Sequence, residues 1–504
     1  MPVVPKWGRF EYAFTSSTNY ENPLQQATLR IVFTSPLGET AQVFGFWDGS
    51  RTWRVRFSPD QPGTWSFKST CSDAANSGLN NQRGEFLCTS TIGQSRFHRH
   101  GPVKVAQDRH HLEHADRSPF FWLSDEVSKG VRMADAKSLG TYAVIRSSQN
   151  FTVAQWAVAP GGDAANESAL AGFPERISVN PDFFKRLDAK IDILSTAGIL
   201  SAITPLAEPD SSPEAVALPD DQAMLLTRYV VARWGADPVA WVLAPGMSSK
   251  QTERWKKIGS EVFSTNRHAP VIVYSRQVDE TLVEFAEQGW VDVLGAPTRE
   301  VKPEVLSKIA QTHPIVALTP HENAFQPKTR TRVTAQDVRG SAYCGVLPTP
   351  PAGVSYAGSA VENWDTTVEP KQEDIWGAGL PVWHKALFMP GAKQVGYLAG
   401  LLNSVDFWRL RPDAGILVSQ PGTGSGGPEI CPAATETKDL SLVYVANERM
   451  LELSLDAMPH SPAVTWFNPR QGGNSPAVAV VVQGKCQFPT PDPEDWVLVL
   501  KAGK

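Results

Sequence analysis

PDDQAMLLTRYVVARWGADPVAWVL, residues 219–243, joins a helix-like stretch to a short apolar strand. Pro219–Trp234 has the length of a helix, and Val239–Leu243 is a continuous apolar run of strand length. The same rhythm continues on both sides. Strand-like runs fall at Phe120–Ser124, Thr141–Arg146, Leu200–Leu206, Val239–Leu243, Val271–Tyr274, Val291–Leu294, Ile315–Leu318 and Val354–Ala357. Between them lie the helix-like stretches Pro181–Ala197, Ser249–Ser264, Glu280–Gln288 and Pro303–Thr312. Pro181 and Pro303 sit near helix starts, and Asn180 is a candidate N-cap. Eight strands alternating with helices predict a (β/α)₈ TIM barrel over residues 100–412.

The flanks read differently. Over residues 1–95, short β-branched or aromatic runs such as Ala27–Thr34, Ala41–Trp47, Thr52–Phe57 and Thr64–Ser69 are punctuated by turn residues, including Asp48-Gly49 and Gln61-Pro62-Gly63. That spacing predicts a β-sandwich. A Pro/Gly/Ser-rich linker, Gln420–Gly427, opens residues 415–504. The runs Ser441–Val445, Met450–Leu455, Ala463–Phe467, Ala477–Val482 and Trp496–Leu500 then predict a second, smaller β-sandwich. The expected chain is therefore multidomain, with a central barrel between two β domains.

Composition narrows the partners. The net charge is −5 with no long basic run, which does not support nucleic acid or an anionic membrane surface as partner. No apolar run reaches the ~20 residues of a bilayer span, and the opening Met1–Lys6 carries no signal segment. The five cysteines leave two readings open. Cys71 with Cys88 and Cys431 with Cys486 make two pairs inside separate domains, with Cys344 left over; equally, all five could be buried thiols. The disulfide reading places the chain outside the cytoplasm, secreted or periplasmic with its signal absent from this sequence; the other leaves a cytoplasmic location open. The 16 Trp divide between core packing and sugar stacking. Phosphate-loop, nucleophile-elbow and zinc-protease signatures are missing. The histidines at 110, 111 and 114 lie in the run entering the barrel, away from any functional end, so neither metal nor other cofactor is expected.

Several motifs in order carry a family resemblance over nearly the whole chain. Lys6-Trp7-Gly8-Arg9-Phe10-Glu11, Phe44–Gly49, Trp53–Phe57 and Pro62–Phe67 resemble the β-sandwich that precedes apiosidase-like glycoside hydrolase barrels. Gly101–Val105 with Ser118–Asp125 resembles the barrel entry, and Pro390–Gln394 with Phe407–Asp413 its exit. Val464–Arg470 and Asp495–Leu500 are similar to a small C-terminal domain whose family label is collagen binding.

The resemblance implies glycosidic cleavage by two carboxyl groups, one after strand four and one after strand seven. Neither position holds one. Strand four runs into Ala244-Pro245-Gly246-Met247, with Gly246 at the expected acid, and strand seven ends in Leu318-Thr319-Pro320, with Thr319 there. Glu322 recovers the strand-seven role if the register shifts, while Asp125 and Glu208, after strands one and three, complete the candidate catalytic set. Glu126 follows Asp125, where relatives carry Thr. Arg146 and Gln149 after strand two, His321 after strand seven and Glu362 after strand eight are candidate hydrogen-bonding groups for a carbohydrate. Trp156, Tyr343, Tyr356 and Trp364 are candidate stacking surfaces. The strand-eight stretch Gly345–Gly358 keeps a Tyr-x-Gly end and gains prolines. Three departures at the functional end favour a glycan-binding homologue with impaired catalysis. The alternative is an active hydrolase of plant or algal polysaccharide, using a relocated pair that includes Glu322.

Overall fold

The computed structural model describes residues 1–503 except 91–92, 94, 208–217, 244–250, 265–268, 276–280, 299, 302, 327–330, 350, 368–380, 419–422, 425–426, 429, 448–449 and 483–484. Two sheets form the N-terminal sandwich. One orders Val3–Pro5, Arg83–Thr89, Gly63–Cys71, Leu29–Thr34 and Thr40–Phe44; the other orders Phe10–Thr15, Thr52–Phe57 and Phe46–Trp47. Leu29, Ile31 and Phe33 point inward at every second position, as a strand with one buried face requires. Phe10 stacks on Phe86 at 4.0 Å and Phe33 on Phe57 at 4.1 Å, so aromatic faces fill this core.

The register of the same sheet keeps Cys71 and Cys88 apart. Gly63–Cys71 runs antiparallel to Arg83–Thr89 with Gly63 opposite Cys88, which puts Cys71 at the far end of the pair. Both stay free, as does Cys486. The disulfide joins Cys344 to Cys431, whose Cα atoms are 5.4 Å apart. The expected pairs shared a domain; the observed one ties a barrel helix, Ala335–Val346, to the C-terminal strand Ile430–Thr435.

Eight parallel strands close the barrel: Trp122–Glu126, Val153–Ala159, Leu200–Leu206, Val239–Leu243, Val271–Tyr274, Val293–Ala296, Ile315–Leu318 and Pro351–Ala357. Trp122, Val153, Ala202, Val242, Ile272 and Val316 share one buried cluster that fills it. Thr141–Arg146 is not the second strand. It lies within the helix Ala136–Ser148, capped by the Asp135 carboxylate accepting from Ser138 N at 2.8 Å. Leu139, Tyr142, Ala143 and Arg146 are its buried positions, a spacing of three and four residues that belongs to a helix face. A short apolar run satisfies either element until that spacing is weighed.

Both β domains dock on barrel helices. On the N-terminal side Asp188 receives Arg56 at 2.8 Å, Arg233 at 2.7 Å and the Trp234 indole at 2.7 Å, while Arg233 also reaches Asp48 at 2.9 Å. Burial pushes the Asp188 carboxyl up, but bonds to and charge from Arg56 and Arg233 outweigh it and hold it well below the usual carboxylate range. The C-terminal domain packs a six-stranded sheet, ordered Leu410–Pro412, Ile430–Thr435, Leu440–Val445, Trp496–Lys501, Ala463–Phe467 and Asn474–Pro476, against a three-stranded one. Besides the disulfide, Tyr343 stacks on Tyr444 at 4.8 Å, and Arg339 grips Asp495 through two bonds of 2.8 and 2.7 Å.

Candidate functional site at the barrel mouth

Side chains alternate along a barrel strand between lumen and helix layer. On the first strand Trp122 belongs to the lumen cluster and Leu123 to the cluster under the helices. The alternation carries Ser124 and Glu126 to the lumen side and Asp125 to the helix side. Consistently, burial and then the Glu126 charge push up the hydroxyl of Tyr274, another lumen residue. Thus the two adjacent acids are separated by the wall of the barrel.

Behind the wall, Asp125 is fully buried and accepts from Arg146 Nε at 2.7 Å. Burial raises its carboxyl above the ordinary value, and Arg146 opposes that shift. Arg146 donates onward to Gln149 Oε1 at 2.7 Å and to the Leu387 carbonyl at 3.0 Å. Its guanidinium also lies 4.6 Å from the Phe151 ring and 5.7 Å from the Tyr356 ring. Tyr356 donates to Glu322 Oε2 at 2.6 Å, and Glu322 Oε1 accepts from the Gly391 backbone N–H at 2.9 Å. Gly391 is the second residue of the helix Pro390–Asn403, so Glu322 satisfies a donor at the positive end of that helix. The glycine makes this approach close, since an added Cβ would come within 2.5 Å of Glu322 Oε2 and force the carboxylate or the helix start to shift.

Five of the candidate residues therefore come together, but as a buried polar lattice between the first and last barrel helices. Arg146 bonds Asp125 and Gln149, Tyr356 bonds Glu322, and the Leu387 carbonyl and Gly391 N–H take further bonds, while Asp125 Oδ1 and Arg146 Nη2 are buried without a hydrogen-bond partner. The stacking candidates move inward as well. Trp156 is 1% exposed and packs on Trp234, while Trp364 stacks on Trp383 at 4.1 Å beneath the last loops. Tyr343 sits on the helix that carries the C-terminal domain, with its face on Tyr444. Large aromatic side chains gain most from burial, and these three have taken that role.

In front of the wall stand Glu126, His321 and Glu362, at the ends of strands one, seven and eight. His321 Nε2 lies 3.6 Å from Glu126 Oε2, and its Nδ1 lies 3.3 Å from Glu362 Oε2. All three are partly open to solvent, with side-chain exposures of 22% for His321, 18% for Glu126 and 24% for Glu362. Ser128 donates to the other Glu126 oxygen at 3.3 Å, and the Glu362 carbonyl accepts from Lys129 N at 3.0 Å. An imidazole between two carboxylates can donate through both nitrogens when protonated. The ring therefore stands between the two acids and fills the space that separates them. His321 and Glu362 were among the sequence candidates; Glu126 was passed over for its neighbour. The period-two alternation from Trp122 was the signal that could have found it.

Thr319, at the strand-seven acid position, is buried and donates its hydroxyl to the Ser355 carbonyl at 3.1 Å. Glu208 and Gly246 lie outside the described residues. Among the described residues no group of three or more His, Cys, Asp or Glu could hold a metal ion, and no helix is long and apolar enough to cross a membrane.

A closed eight-stranded parallel barrel with Glu126 and Glu362 at its mouth thus stands between two β domains. Residues 106–409 match the family model "Apiosidase-like, catalytic domain", and the chain belongs to that family. Residues 3–72 match a domain of unknown function, DUF5060, and residues 412–501 match "Putative collagen-binding domain of a collagenase". Among solved structures, a "putative glycoside hydrolase" from Bacteroides vulgatus superposes with a TM-score of 0.71 at 16% identity, covering 99% of this chain and 100% of its own. A glycoside hydrolase family 5 protein from Bacteroides vulgatus gives 0.68 at 16% identity, covering 81% and 94%. No curated protein matches the chain.

Proposed function

We propose that the chain is a glycan-binding member of the apiosidase-like family in which hydrolysis is impaired. The carrying observation is that Glu322, the acid nearest the strand-seven position, has both oxygens committed to Tyr356 and Gly391. A general acid must offer its proton to the leaving oxygen, and a nucleophile its lone pair to the sugar. A buried carboxylate that anchors a helix is in no position to do either. Thr319 supplies only a hydroxyl bonded to backbone, and Ala244–Met247 supplies no carboxylate. Glu126, His321 and Glu362 then bind sugar hydroxyls at the mouth, where charge-assisted hydrogen bonds favour a polyhydroxylated ligand. In this reading the three units span residues 1–95, 100–412 and 415–504. The Cys344–Cys431 disulfide supports an oxidising, extracytoplasmic location.

A second reading is an active hydrolase in which Glu126 and Glu362 replace the usual pair. The partial exposure of Glu126 and Glu362 on either side of His321 at the mouth favours it, with the imidazole moving aside to admit the scissile bond. Hydrolysis and binding of pectic, other plant and algal glycans, measured on the wild-type chain and on Glu362→Gln, separate the two. The proposal expects saturable binding weakened by the variant and no turnover; turnover abolished by Glu362→Gln would establish the second reading.

A further inference from the structure

The end of the barrel opposite the mouth holds a cleft that the reading above does not use. It lies between the N-terminal sandwich and the start of the fourth barrel strand, with a volume of about 650 Å³, within the ~300–1,000 Å³ usual for small-molecule sites. Trp7, Phe57, Trp65 and Phe97 supply aromatic wall, and Asp60 and Asp237 supply carboxylates.

Two details point to a ligand. Trp7 adopts φ 61°, a left-handed backbone that a bulky residue rarely takes. Its N–H is held by the Pro59 carbonyl at 2.7 Å, and its ring lies so close to Gly101 that a Cβ there would come within 2.7 Å of it. The indole is thus fixed in place at the cleft, with Lys6 Nζ over its ring at 4.3 Å from the centroid, so a ligand meets the part of the ring that Lys6 and Gly101 leave open. Asp237 is the second detail. Its side chain is 5% exposed; one oxygen accepts from Arg9 at 2.7 Å, while the other has no hydrogen-bond partner. A buried carboxylate oxygen without a donor carries a desolvation cost that a bound hydroxyl would offset.

We infer that this cleft is a second saccharide site, binding a neutral sugar ring with its C–H face on Trp7 and a hydroxyl donated to Asp237. Flat apolar faces edged with hydroxyl donors are what an aromatic wall with an under-used carboxylate recognises. An organic cation fits less well, because the Arg9 guanidinium already lies against the same carboxylate. The inference is independent of whether the mouth retains chemistry.

The test is calorimetric titration of the full chain with D-galactose, L-arabinose, D-xylose and cellobiose, backed by saturation-transfer NMR. Trp7→Gly removes the indole and suits the left-handed backbone; Asp237→Asn keeps the shape of the carboxyl. The expected result is saturable binding of at least one probe, weakened about tenfold or more by each variant, as loss of a stacking face or a charged acceptor implies, with a binding component that persists when the mouth is altered by Glu362→Gln. Melting curves confirm that each variant folds. No binding of any probe, or binding that both cleft variants leave unchanged, overturns the inference. Insensitivity of polymeric glycan binding to Glu362→Gln counts against the mouth reading alone.

Discussion

Asp125 and Glu126 are neighbours in the chain and face opposite sides of the same barrel wall. Asp125 enters a lattice with Arg146, Gln149, Tyr356 and Glu322, bonded through Arg146 Nε, and its side chain is closed to solvent. Glu126 turns into the mouth, half-buried beside His321, with Glu362 on the other side of the imidazole. The chemistry of the side chains is almost the same, yet the first set anchors two helices to the strands while the second remains open to a ligand. One step along a strand decides between these fates. An acidic residue at a strand end is thus a site candidate only once its side of the wall is known.

The contrast predicts a graded series of effects. The largest comes from breaking the pair behind the wall. Arg146→Ala leaves the Asp125 carboxylate buried without its cation and should lower unfolding stability by about 3–5 kcal/mol, measured by denaturant titration. A loss below about 1 kcal/mol would mean that water reaches the lattice.

A third buried acid sharpens the comparison through pH. Burial lifts the Asp237 carboxyl from 3.8 to about 6, against the opposing charge of Arg9. Between those values the folded chain keeps a proton that the unfolded chain has released. Its contribution therefore makes stability fall as pH rises through that window, by at most about 3 kcal/mol. Asp237→Asn should flatten that limb of the stability–pH curve.

Gly391→Ala drives a methyl group against the Glu322 carboxylate and should cost about 1–3 kcal/mol, the range for a disrupted buried hydrogen bond. Thermal unfolding reads it directly, and an unchanged melting point would show that the helix start is free to shift. The smallest stability effect belongs to the mouth. Glu126→Gln and Glu362→Gln should each change stability by about 1 kcal/mol or less, because their partners are partly solvated. Those same variants should weaken glycan binding, which is the reverse of what the lattice variants do first.

Much of this architecture could be read from the residues. Leu200–Leu206, Val239–Leu243, Val271–Tyr274 and Ile315–Leu318 are apolar runs bounded by loop or helix signals, and each is a barrel strand over that span. Thr141–Arg146 misled because a helix segment buried on Leu139, Tyr142 and Ala143 also reads as a short apolar run. The site was less legible. Family position pointed to Asp125 and Glu322, whereas exposure follows from strand alternation and from the Gly391 helix start, which lies 69 residues from Glu322 in sequence. The cysteines failed for a similar reason. Domain membership paired Cys431 with Cys486, but the bond that forms crosses from barrel to C-terminal domain, where a helix and a strand pack together.

The most direct test of the division between wall and mouth is to measure glycan turnover and binding by the wild-type chain beside Glu362→Gln and Glu322→Gln. The account predicts no turnover in any of the three, binding lost or much weakened in Glu362→Gln, and binding kept in Glu322→Gln with a lowered melting temperature. Turnover by the wild type that Glu322→Gln abolishes, with its fold intact, would contradict it.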